Sequence, residues 1–336
     1  MRLSRFLIIL LLAWSGVRAD EKSGASYDFV IKGGRIIDPE TNLDRVGLDL
    51  GITGGTVTAL SSTPLKGARE IDASGLVVAP GFIDVLSYDP NEVGVWNKLA
   101  DGVTTNLGMH GTTTDPLRWF SVYEKRRLPL HYGGSFSYPQ ARVKLKIDRY
   151  SPATEQQIRE MYSMGEAALL NGCIGISISL EYMPGVSPEE CLSMMRLAAK
   201  YKVPVFYHVR YSDVDPPGTN LEALQEVVGY ARETGAAIHI DHINSTGGTF
   251  SMRQSLAFLN EARAAGVDVT ACTYPYDSWA TYLNSARFDQ GWQSRFRIDY
   301  HDLQLGGSEE RLTSVSFQRY RKQGKLAVAY AIPEED

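Results

Sequence analysis

A chain of 336 residues, 43% of them hydrophobic, can bury a full core as one large domain or two. Its net charge of −5 is close to balance, with no basic patch for nucleic acid and no long run of like charge to mark a disordered tail. Three cysteines without regular spacing, Cys173, Cys191 and Cys272, exclude a disulfide scaffold and read as buried free thiols.

Residues 1–19 form a separate unit. Arg2 and Arg5 precede an unbroken apolar run from Phe6 to Trp14, and Val17-Arg18-Ala19 offers small residues for cleavage. This pattern predicts a secretory signal peptide, with export to the periplasm or the medium and no membrane attachment after cleavage. The run falls short of the roughly 20 residues a transmembrane helix needs. An uncleaved anchor is the alternative.

Residues 20–79 read as short strands broken by glycine turns. Tyr27 to Lys32 alternates and stops at Gly33-Gly34. Val46 to Ile52 alternates again before Gly54-Gly55, and Thr56 to Leu60 and Leu76 to Ala79 complete the set. They predict a small β-unit, part of a sandwich.

From residue 80 the pattern changes. Apolar runs at Ile83–Leu86, Val103–Leu107, Leu130–Phe136, Ile174–Leu180, Val203–Tyr207, Ala237–Ile240 and Val267–Ala271 alternate with amphipathic helices. One helical face carries Ile158, Met161, Gly165 and Ala168; another carries Cys191, Met194, Met195 and Ala198. Seven strands separated by helices predict an α/β fold, a (β/α)8 TIM-type barrel over 80–336 lacking its last strand. A doubly wound sheet is the alternative, weakened because no GxGxxG follows any strand. Residues 277–325, rich in Ser, Arg, Gln and aromatics, suggest a long insertion or lid.

Taken singly, a histidine is more often structural than a ligand. Placement makes the case here. His110 follows the Val103–Leu107 strand, His208 ends Val203–Tyr207, and His242 follows Ala237–Ile240. Strand C-termini converge on one face of a barrel, so three imidazoles there would make a zinc site with an open fourth position. His239 lies inside its strand and reads as structural, as do His131 and His301. Glu181, past the fourth strand, is placed to bind or bridge the metal or to act on its water, and a solvated loop glutamate is the bland alternative. Arg210, two residues beyond His208, has the fork to hold a substrate carboxylate, unless it pairs with Asp213 or Glu181. Tyr182, Tyr274 and Tyr276 would line the pocket.

Several segments carry a specific resemblance. Ile31-Lys-Gly-Gly-Arg-Ile-Ile-Asp-Pro39 resembles the opening strand of amidohydrolases, and Ile71 to Asp84 resembles their passage from a small β-sandwich into the first barrel strand. Asp101-Gly-Val-Thr-Thr105, Leu180-Glu-Tyr-Met-Pro-Gly185, Tyr207-His-Val-Arg210, Asp241-His242 and Val269 to Tyr276 follow in order. From about residue 27 onward the chain resembles the D-aminoacylase branch, the N-acyl-D-amino-acid and N-acyl-D-glutamate deacylases.

That resemblance implies a zinc-dependent hydrolase of a small N-acyl amino acid. It also marks departures. The family's His-x-His, which binds one metal, is replaced by Leu86 and Tyr88, while the acidic residue after it, Asp89, is kept. His110 stands where the family has a metal-binding Cys, and the two later histidines match His208 and His242. The expectation is one zinc, on His110, His208 and His242. Some relatives have a Lys at the position of Asn244. The family's Asp after the eighth strand, the general base or acid, has no counterpart before Ala331-Ile-Pro-Glu-Glu-Asp336, so the chain reads as C-terminally incomplete. Hydrolysis of a cyclic amide and a degenerate, non-catalytic protein are the rival readings.

Overall fold

The computed structural model describes residues 26–333, so the expected signal peptide lies outside the described residues. The chain divides into two compact units, with the boundary between Phe82 and Ile83.

The first unit holds β1 (Tyr27–Asp38), β2 (Leu43–Thr53), β3 (Thr56–Ser61), β4 (Gly67–Asp72) and β5 (Val77–Val78). They form one five-stranded sheet in the order β3-β2-β1-β4, with β5 also on β1. β2 and β3 meet at the Gly54-Gly55 turn, where both residues have positive φ, the region that glycine enters without penalty. Ile36, Leu48 and Leu50 make its small core. The sequence suggested part of a sandwich; the described residues of this unit make a single sheet.

The second unit is built on seven strands: β6 (Phe82–Asp84), β7 (Val103–Thr113), β8 (His131–Ser137), β9 (Ile176–Ser179), β10 (Val205–His208), β11 (Ile238–Ile240) and β12 (Val269–Ala271). Their order in the sheet is their order in sequence, and the register from β7 to β12 is parallel. This is the open, seven-stranded part of a barrel that the sequence predicts. The sheet ends at β6 on one side and β12 on the other.

Helices α1 (Glu92–Ala100), α2 (Pro116–Arg126), α3 (Tyr138–Lys144), α4 (Glu155–Leu170), α5 (Pro188–Tyr201), α6 (Asn220–Thr234) and α7 (Met252–Ala264) return the chain between strands. Capping boxes start α4 (Thr154 with Gln157), α5 (Ser187 with Glu190) and α6 (Thr219 with Glu222). Each satisfies two orphan backbone donors and typically contributes about 1 kcal/mol. The predicted helix faces supply the core: Met161 and Ala168 of α4, and Cys191, Met194, Met195 and Ala198 of α5, pack against Phe136, Ile176, Ile178 and Val205 of the sheet. Truncating a fully buried aromatic such as Phe136 to Ala typically costs about 3–5 kcal/mol.

The segment expected as an insertion or lid is folded in its own right. β13 (Ser278–Tyr282), β14 (Leu303–Leu305) and β15 (Leu326–Tyr330) form an antiparallel sheet in the order β13-β15-β14. With α8 (Trp292–Phe296) and α9 (Ser314–Lys322) it encloses a separate cluster that includes Trp279, Leu283, Phe288, Trp292, Phe296 and Phe317. The abundant aromatics of this stretch therefore build a core.

Candidate metal centre

His110, His208 and His242 come together. Their ligand-type nitrogens all lie within 4.8 Å of one another, and they are the metal-competent cluster found among the described residues. Each reaches the site by a local device. β7 advances five positions, from Gly108 to Thr113, where β8 advances two, from Gly134 to Phe136, so a bulge turns His110 out of the ladder. Gly111 follows at φ +96°, and a Cβ there would stand 3.0 Å from Ser137 Oγ. His208 is the last residue of β10 and pairs in register with Ser179. His242, two residues past β11, adopts φ 30° and ψ 61°, a left-handed conformation unusual outside glycine. Its N–H donates to Cys272 Sγ at 3.2 Å.

Hydrogen bonds define which ring atoms are available. His208 Nε2 lies 2.9 Å from Glu181 Oε2. An ionised carboxylate can only accept, and against it the proton of the neutral ring belongs on Nε2, leaving Nδ1 with a bare lone pair. That Nδ1 faces His242 Nε2 at 3.3 Å. This matches the separation of about 3.3 Å between two nitrogens bound at ~2.0–2.1 Å to one tetrahedral zinc. His110 Nδ1 lies 3.4 Å from Asp241 Oδ2, and Asp241 is fully buried. Two of the three imidazoles are thus backed by carboxylates, the usual outer partners of metal-binding histidines.

Burial reinforces this state. It holds His208 and His242 well below the usual imidazole value, with help from Arg287 and from neighbouring histidines, so both are neutral near pH 7. A ligand nitrogen must be unprotonated to accept a metal. Burial also pushes the Glu181 carboxyl up, opposed by Arg287, Arg295 and Ser212. The Asp241 carboxyl is pushed up in the same way, opposed by His110. Three converging imidazoles, two of them held neutral by burial, with buried carboxylates nearby fit a zinc ion.

Two expectations need correction. Glu181 is not among the ligand atoms: its Oε2 accepts from His208 and from Ser212 Oγ (3.0 Å) and stands 3.2 Å from Arg287 Nε, so it sits behind a ligand. Arg210 does not present a free fork. Its Nε and Nη2 bond Glu226, at 2.9 and 2.7 Å, and its Nη1 and Nη2 bond the carbonyls of Pro184 and Val186. Arg210 locks a loop to α6, which leaves no bidentate face for a substrate carboxylate.

The tyrosines divide. The Tyr182 ring lies edge-on to His208, centroids 4.8 Å apart, and Tyr274 lies 6.4 Å from His242. Tyr276 is 68% exposed and lies tilted to the Tyr274 ring, centroids 6.1 Å apart. His239 bonds Thr270 Oγ1 and stacks on Phe206, a structural role. Exposed His301 pairs with Asp302. Tyr88, at one of the lost His-x-His positions, lies 5.0 Å from the His110 ring.

Sequence reasoning missed Asp241 and Arg287. An acid directly between Ile240 and His242, at the end of an apolar strand, was a readable signal for Asp241. Nothing in the local pattern marked Arg287, which reaches Glu181 from the insert.

No family model matches the chain. The N-acyl-D-glutamate deacylase of Alcaligenes xylosoxydans xylosoxydans is 29% identical over 299 residues, covering 78% of this chain and 60% of that protein. The D-aminoacylase of the same organism is 28% identical over 295 residues, with the same coverage of each. The chain thus spans 60% of the length of these curated relatives. The crystal structure of N-acyl-D-glutamate deacylase from Bordetella bronchiseptica, complexed with zinc and a phosphonate mimic of the tetrahedral intermediate, superposes with a TM-score of 0.77. That match has 24% identity and covers 93% of this chain and 73% of that one. A D-aminoacylase structure concerned with its binuclear metal centre gives a TM-score of 0.75 at 21% identity, covering 92% and 72%. The sequence relatives and the fold neighbours are N-acyl-D-glutamate deacylases and D-aminoacylases, the same branch of amidohydrolases that the motifs resemble.

Proposed function

We propose that this chain is the metal-binding part of a hydrolase that cleaves the linear amide of an N-acyl-D-amino acid, giving a carboxylic acid and the free amino acid. The convergence of His110, His208 and His242 carries this reading. One zinc held by these three would supply a Lewis acid for the acyl carbonyl and lower the pKa of its water to about 7. The chain's own residues do the rest. Glu181 and Asp241 orient His208 and His110. Tyr182 and Tyr274 wall the site beside His208 and His242 and limit water around the scissile bond.

A single zinc accords with Leu86 and Tyr88 at the positions where relatives carry His-x-His, since leucine offers no lone pair. Export through residues 1–19 belongs to the same proposal, and N-terminal sequencing of the secreted protein tests it.

The functional test has two parts. Metal analysis of zinc-supplemented protein should give about one zinc per chain, lost in His208→Ala. A panel of N-acetyl-D- and N-acetyl-L-amino acids and cyclic amides should then show release of acetate from the D-series. Protein that retains no metal supports the degenerate reading, and turnover of cyclic amides alone supports the cyclic-amide one.

A further inference from the structure

The geometry points to Arg287 as a positioning residue for the metal centre: carried by the insert, it fixes Glu181 so that His208 presents Nδ1 to the cation. The inference rests on the metal-dependent reading above.

Arg287 lies in a short 3-10 turn, Ala286–Phe288, and is 2% exposed. Its guanidinium carbon stands 3.9 Å from the centroid of the Trp279 ring and 4.9 Å from that of Phe296, so the insert's own aromatic cluster holds the cation. A guanidinium against aromatic faces is favourable by about 0.5–2 kcal/mol and is confined in direction. From that seat it makes two contacts outside the insert. Nη2 donates to the carbonyl of Ser245 at 2.9 Å, three residues beyond His242. Nε stands 3.2 Å from Glu181 Oε2.

The same carboxylate oxygen faces Ser212 Oγ at 3.0 Å and His208 Nε2 at 2.9 Å. That oxygen accepts from the Ser212 hydroxyl, faces the His208 imidazole and has the Arg287 guanidinium beside it as an ion pair, with Arg287 Nε and Glu181 Oε1 both buried without a hydrogen-bond partner. A carboxylate held on only one oxygen is free to swing about its last torsion unless the partners of that oxygen are themselves fixed. Ser212 is a single-bond rotor. Arg287, clamped by Trp279 and Ser245, is the rigid one. It thus transmits the placement of the insert to His208, and through Ser245 to the turn that carries His242. A buried arginine that only tethered the insert would have no reason to share an oxygen with a ligand's partner.

The test compares zinc affinity, by competition with a chromophoric chelator, with the ring tautomer of His208 read by 15N NMR in the apoprotein. Wild type should show the Nε2–H tautomer. Arg287→Met should bind zinc about 10–100-fold more weakly, the range for loss of outer partners of metal ligands. Its His208 should populate both tautomers, and Arg287→Lys should recover most of the affinity. Should Arg287→Met fail to fold, Arg287→Gln decides, since it can still bond Ser245 without the guanidinium. Wild-type zinc affinity and an unchanged tautomer in the folded variant would overturn the inference. A wild type that binds no zinc would instead sink the metal-dependent reading, so the two failures are distinguishable.

Discussion

The two ends of the strand-end rim differ sharply. At the β10–β11 end, His208 and His242 are neutral, face each other at 3.3 Å and are surrounded by the buried carboxylates Glu181 and Asp241. At the β6 end stand Leu86 and Tyr88, neither an imidazole, and Tyr88 is 70% exposed. There the ammonium of Lys98, from α1, bonds Asp84 at 2.8 Å and also bonds Ser87 and Asn106. One end offers lone pairs backed by negative charge; the other has a cation of its own beside its acid. The two ends of the rim therefore differ in both local donors and local charge.

Replacing a residue at each end gives the widest contrast. His242→Ala should abolish zinc binding, whereas Tyr88→Ala should leave about one zinc per chain, both read by metal analysis after gel filtration. Next in size, Asp241→Asn should weaken zinc by about 10–100-fold in a chelator competition, because the amide is a poorer partner for His110. Unchanged affinity would mean that the 3.4 Å approach contributes nothing.

Rebuilding the lost position sharpens the comparison. Leu86→His with Tyr88→His should still bind about one zinc, since Lys98 bonds the residue between them. Adding Lys98→Met should raise the count to about two. Two zincs with Lys98 in place would show that the ammonium is irrelevant.

A smaller effect follows from the depressed imidazoles of His208 and His242. The unfolded chain protonates them near the ordinary imidazole value of about 6.5, while the folded apoprotein does so only at lower pH. Below about pH 6.5 the unfolded state therefore binds more protons, and apoprotein stability should fall as pH falls. The slope should be up to about 1.4 kcal/mol per pH unit for each histidine, measured by urea unfolding. A flat profile between pH 6.5 and 5 would contradict their burial as neutral rings. The smallest effect on function is expected at Arg210, whose Met variant should keep KM for an N-acyl amino acid within about twofold. Loss of its largely buried pair with Glu226 should still cost about 3 kcal/mol of stability.

Much of the site was legible because regular elements carry it. The seven apolar runs became β6–β12, and strand-end placement brought His110, His208 and His242 within bonding range of one ion. What was not legible lies where side chains from distant segments meet. Arg210 sits two residues from a ligand, which suggested a substrate role, yet its partner Glu226 lies 16 residues on, on α6. Arg287 is far from every motif in sequence but touches Glu181 through the insert's packing.

The amino-acid sequence alone determined the periodicities, and with them the alternation of strands and helices and which residues end each strand. It also determined that Leu86 and Tyr88 offer no imidazole, because ligand chemistry is a property of the residue itself. Tertiary structure decided that Glu181 Oε2 faces His208 Nε2, and that Arg287 rather than Arg210 comes up to that carboxylate. Those outcomes depend on direction and burial across long sequence separations, which no local pattern encodes.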